Sequence, residues 1–138
     1  MKNLFINEED EIVIKFVVGE DTDGTIFCDL KKEEIVRILG EEGDIEEYEA
    51  VFRRPSFGDS VMLYDSMFSV ETDGNDILKP NVNLNPILAR YNKIMALIKR
   101  WNLTDGDKKP TEKQIKNLHP IIANTIGVAL EEETGNMI

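Results

Sequence analysis

The side chains able to act as nucleophiles, acid–base groups or metal ligands are few and scattered. The 138-residue chain holds one Cys and one His. Cys28 lies in the apolar run Thr25–Leu30 with Asp29 beside it. A neighbouring carboxylate raises a thiol pKa, the wrong direction for a nucleophile. His119 stands between Leu118 and Pro120, with no Gly-x-Ser-x-Gly segment to supply a serine partner. One Cys and one His do not make a Cys/His zinc site. With 27 acidic residues some carboxylate pairs are inevitable, so their presence does not signal acid–base catalysis. Asp21-Thr22-Asp23-Gly24 begins like a calcium loop but lacks the third ligand and the distal Glu, and reads as a hairpin turn. Asp73-Gly74-Asn75-Asp76 and Asp105-Gly106-Asp107 read the same way. The nine glycines occur singly, so no loop is built to cradle phosphate. No catalytic, metal or cofactor residue is assigned, and the expectation is a protein that is not an enzyme.

Arg53-Arg54-Pro55 is more specific. Adjacent residues on a strand point to opposite faces, so at least one arginine is exposed or paired. An internal ion pair is the favoured reading; both are also carried as candidate partner-binding residues.

Charge is the strongest compositional signal. The net charge of −11 argues against generic nucleic-acid binding, which needs a basic footprint. It is also segregated. Residues 1–78 carry 7 basic and 21 acidic side chains, net −14, whereas residues 79–119 carry 9 basic and 3 acidic, net +6. This implies a bipolar molecule, or two halves that attract each other. There is no run of 18 apolar residues, so no membrane span is expected. Met1–Leu4 passes into Glu8-Glu9-Asp10-Glu11 without the apolar core of a signal peptide, and a lone Cys fits a reducing compartment.

These residues must be positioned by elements legible from periodicity. Ile12, Ile14, Phe16 and Val18 alternate as a strand, and Thr25–Leu30 is a second, joined by a turn-rich loop. Asp29 is placed to cap a short helix over Lys31–Leu39, stopped by Gly40. Glu41–Glu47 reads as an acidic connector and Tyr48–Arg53 as a third strand ended by Pro55. Ser56 with Asp59 has the form of a capping box opening a helix. Glu71–Asn83 reads as a polar loop. Leu84, Ile87, Leu88, Tyr91, Ile94, Met95, Ile98 and Trp101 then follow helical spacing, predicting one long helix capped by Asn83. Thr111 with Gln114 opens a short helix, and Pro120 starts the last, to about Glu132. The expectation is an α+β fold: a small N-terminal antiparallel β-sheet with one short helix, followed by a four-helix C-terminal part. The division expected is a β-rich acidic module over residues 1–55 and a helical module over 56–138, or one compact domain.

Three segments carry a family resemblance. They are Tyr48–Pro55 running into a helix at Asp59, the stretch Ile87–Trp101, and Pro110-Thr111 leading to Ile115, Leu118, Pro120 and Ile121. Over residues 48–133 this order resembles the tail assembly chaperones of tailed bacteriophages. The resemblance implies a non-enzymatic protein, without cofactor, that binds the long helical tape-measure protein in the host cytoplasm until tail-tube subunits polymerise around it. Its partners would be phage tail proteins, or a second copy of the chain, and neither nucleic acid nor membrane. Ile94, Ile98, Trp101, Ile122 and Ile126, on the two apolar helices, are the residues expected to dock the partner. The N-terminal hairpin departs from a purely helical chaperone and leaves open a structural virion component of baseplate or neck. A third reading is an acidic decoy that occupies the basic channel of a nucleic-acid-binding host protein.

Overall fold

A computed structural model describes residues 4–7, 9–41, 43–66, 68–71, 81–84, 86–104 and 106–135. Strand β1 (Glu11–Glu20) forms the hairpin with β2 (Ile26–Asp29), and helix α1 (Lys32–Leu39) leads into β3 (Asp44–Arg53). Then come α2 (Phe57–Ser66), the hairpin β4 (Phe68–Glu71) and β5 (Asn81–Leu84), α3 (Pro86–Leu97), β6 (Ile98–Trp101), α4 (Glu112–Lys116) and α5 (Pro120–Thr134). The main sheet has the order β2-β1-β3-β6, every pair antiparallel.

The two faces of this sheet are covered differently. Ile12, Ile14 and Phe16 of β1 and Ala50 and Phe52 of β3 point to one face. They share a core with Leu97, Ile98, Trp101, Ile126 and Leu130. Helix α5 is the main cover there, packing on β1 and β2. Successive strand residues alternate faces, so Val17 and Gly19 point the other way. A Cβ on Gly19 would stand 2.5 Å from Ile35 Cγ2 and from Leu39 Cδ1. Gly19 therefore lets α1 lie directly on the second face, where Ile35 and Val17 are buried. Gly40 ends α1 at φ 63°, with its N–H donating to Val36 O at 2.8 Å, a conformation that suits a residue without Cβ.

The expected run of four consecutive helices after residue 55 is corrected. Strands interrupt it twice, and the long helix predicted over Leu84–Trp101 is divided among β5, α3 and β6. The cause lies in a β-bulge. Ile98 pairs with Phe52, whereas Arg100 pairs with Val51 and Trp101 with Ala50, so Lys99 is an extra residue on its strand. A bulge sets two residues against one and lets residues three apart share a face. Ile98 and Trp101 therefore reach one core from a strand with the i, i+3 spacing of a helix.

Other boundaries also move. Four of the seven residues of the expected acidic connector Glu41–Glu47 belong to β3, which starts at Asp44. Asp29 accepts the Lys31 N–H at 2.9 Å, one residue ahead of α1, and does not cap the helix itself. The polar loop expected over Glu71–Asn83 begins and ends in β4 and β5; residues 72–80 lie outside the described residues. Segments on both sides of Pro55 supply the main sheet and its core. Among the described residues no helix is long and apolar enough to cross a membrane.

Candidate functional site

Two helix starts set the geometry of the site. Thr111 opens α4 with a full capping box: its hydroxyl accepts the Gln114 N–H at 3.2 Å and Gln114 Oε1 accepts the Thr111 N–H at 2.9 Å. At the next corner His119 is the N-cap of α5. Its Nδ1 accepts the Ile121 N–H at 3.2 Å, and Pro120 takes the first helical position, where a missing N–H costs nothing. Together they hold Leu118 and Pro120 facing α3.

The result is a cleft of about 470 Å³ between α3, α4 and the start of α5. Ile87, Tyr91 and Ile94 line it from α3, Ile115 from α4, and Leu118, Pro120 and Ala123 from the α4–α5 corner. Ile87 is 77% exposed at its mouth. The walls are mostly apolar and the polar groups at the rim are already engaged. Arg90 donates through Nε to Glu131 Oε1 at 2.8 Å and through Nη1 to Asn124 Oδ1 at 3.0 Å. Lys116 lies 3.1 Å from Glu112, which also accepts from the Tyr91 hydroxyl at 3.4 Å. The Arg90 stem crosses α5 at Gly127, where a Cβ would stand 3.1 Å from Arg90 Cδ. Deeper between the same helices Lys93 is buried, its Nζ donating to Gly135 O at 3.3 Å. Burial pushes its pKa down, against the pull of Glu131. A cleft with spent charges and apolar walls offers shape and dehydration to a ligand; among the described residues its lining cations, Arg90 and Lys116, are both paired, which disfavours a phosphate.

The residues selected from sequence fall in three places. Ile98, Trp101 and Ile126 are in the main core, Trp101 with 2% exposure, and do not form an outward face. Ile94 is also buried but borders the cleft from below, and Ile122 is half-buried against the core. Arg53 and Arg54 are half-buried at the far end of β3. The Arg53 guanidinium grips Asp59 and donates through Nη2 to Ala96 O at 3.1 Å, so it is an internal ion pair. The Arg54 N–H donates to Asp10 O at 3.0 Å. Ile87, Tyr91 and Leu118, the cleft residues, were each legible as apolar positions. Their grouping was not, because it depends on α3 ending at Leu97.

Among the described residues, the segregated charges meet on the sheet at Glu11. Glu11 of β1 receives Lys99 Nζ at 2.7 Å and Arg100 Nη1 at 3.2 Å from β6, and these hydrogen bonds hold its carboxyl below its ordinary pKa. Cys28 is half-buried, and burial raises its thiol pKa. Among the described residues no three His, Cys, Asp or Glu side chains gather as a metal site. No protein-family model, curated protein or solved structure matches the chain.

Proposed function

We propose that this chain is a non-enzymatic binding protein that holds the apolar face of a partner helix in the cleft between α3, α4 and α5, acting in phage tail assembly as a chaperone of the tape-measure protein. One observation carries the binding part of this reading. The cleft joins an exposed Ile87 to Tyr91, Leu118 and Pro120 while its rim charges pair with one another. Such a site gains free energy by covering apolar surface and loses it if it must bury an unpaired charge. An amphipathic helix placed with its apolar side inward meets both conditions. The net charge of −11 keeps the loaded complex from associating with its like. The assignment to tail assembly rests on the resemblance of residues 48–133.

The test is capture by the tagged chain in the cells that carry its gene, with partners identified by mass spectrometry and mature particles probed for the chain. A long helical phage protein retained by the wild type and lost with Ile87→Asp, with the chain absent from particles, is the expected result. Presence of the chain in particles would favour the virion component. A host nucleic-acid enzyme released by salt would replace the reading with the acidic decoy.

A further inference from the structure

A second pocket, of about 350 Å³, lies beside the cleft and shares Leu118 with it. Trp101 and Thr104 border it from β6 and the loop that follows; Lys113, Gln114, Asn117 and His119 border it from α4 and the α4–α5 corner. Its frame is fixed. Trp101 and Lys108 exchange backbone hydrogen bonds of 3.1 and 3.3 Å, and Asn102 is bound to Glu49 through its side-chain carbonyl at 2.8 Å and its N–H at 3.1 Å.

The polar groups of this pocket lean toward donors, with the Asn117 amide and the Thr104 hydroxyl able to act either way. Trp101 Nε1 is a donor only. It is shut from solvent within a side chain more than nine-tenths buried, and among the described residues it has no hydrogen-bond partner. The Thr104 hydroxyl is likewise buried and without a partner among the described residues. His119 spends Nδ1 as an acceptor, so in the neutral ring the proton is on Nε2, a donor. Gln114 spends its carbonyl oxygen on Thr111 and keeps its NH₂. Lys113 adds one positive charge. Buried donors left unmade are costly, and a pocket bordered by so many donors calls for an acceptor that carries charge. A single cation matches a singly charged group better than a phosphate.

We infer that this pocket binds a carboxylate, with Trp101 Nε1 and Thr104 Oγ1 as its inner donors and Lys113 as its counter-charge. Both inner atoms are shut from solvent, so a carboxylate reaches them only when the side chains around the pocket give way. The inference goes beyond the docking cleft and does not depend on it.

The chain has one Trp, so a ¹⁵N–¹H spectrum of the intact protein contains one indole N–H signal, that of Trp101. Sodium acetate, titrated at constant ionic strength against sodium chloride, should move this signal downfield and saturate. Acetamide, which is neutral, should not. Thr104→Val and Lys113→Gln should each weaken acetate binding by about tenfold, the effect of losing one hydrogen bond or charge at a carboxylate. A signal that does not move beyond the chloride control overturns the inference. So does saturation that neither variant weakens, or an equal response to acetamide. A glutamate capped at both backbone ends separates the sources. Tighter binding than acetate assigns the carboxylate to a polypeptide side chain, and weaker binding assigns it to a free small acid. All of these use the chain alone, so failure to find a partner for the cleft leaves the result intact.

Discussion

Arg53 and Asp59 form a two-pronged ion pair that ties three elements together. Arg53 closes β3 and Asp59 lies in the first turn of α2; the same guanidinium also reaches Ala96 O near the end of α3. Asp59 further accepts the Ser56 N–H at 2.9 Å while Ser56 Oγ accepts the Asp59 N–H at 3.2 Å, completing the capping box. The guanidinium and the Ser56 hydrogen bonds hold the Asp59 carboxyl well below the usual carboxylate range.

Asp59→Asn should therefore lower stability at neutral pH by about 2 kcal/mol, the sum of a weakened cap and a half-buried ionic hydrogen bond. The folded pKa is depressed, so this contribution is fully present above the unfolded value and fades as pH falls toward the folded one. Urea titrations of wild type and variant should differ by a constant amount from pH 7 down to about pH 4, the ordinary aspartate value, and draw together only as pH falls further.

Gly19→Ala should destabilise the fold by about 1–3 kcal/mol, the usual range for overpacking. The added methyl meets the Ile35 and Leu39 side chains at 2.5 Å, so these side chains, or α1 with them, must shift. A chemical denaturation midpoint measures this, and Gly135→Ala, where nothing lies within 4 Å but φ is 83°, is a control for backbone strain alone.

Thr111→Ala removes one side of the capping box that starts α4 and should cost about 1 kcal/mol. Because α4 supplies Ile115 to the cleft and Gln114 to the second pocket, amide exchange in residues 111–118 should rise more than in β1.

Much of the fold is readable in the chain because local rules and tertiary packing agree there. The alternation Ile12-Ile14-Phe16 gives β1, and Thr111 with Gln114 and Pro120 mark the starts of α4 and α5. The sequence misleads where packing overrides period. Ile98 and Trp101 are three apart, as on a helix, yet the bulge at Lys99 lays both against β3. The same displacement hid the candidate site. Once Ile98 and Trp101 belong to the sheet, the outward surface of the long apolar stripe shrinks to its N-terminal part, around Ile87 and Tyr91. The charge segregation was legible, but pairing depends on sheet order, which brings Glu11 near Lys99 and Arg100.

Core and cleft should respond differently to charge. Ile126→Asp places a carboxylate among Phe16, Leu97 and Leu130 and should abolish cooperative folding. Ile87→Asp falls at a position 77% exposed and should leave stability within about 0.5 kcal/mol. Circular dichroism melts of the two variants check this.

The most direct test of the proposed docking role of the cleft is the solubility of the proposed partner, a tape-measure protein, when co-expressed with wild-type chain or with Ile87→Asp. The account predicts that the wild type keeps this partner in the soluble fraction and that the folded Ile87→Asp variant does not. Equal retention by the two, or aggregation of the partner beside the wild type, would contradict it.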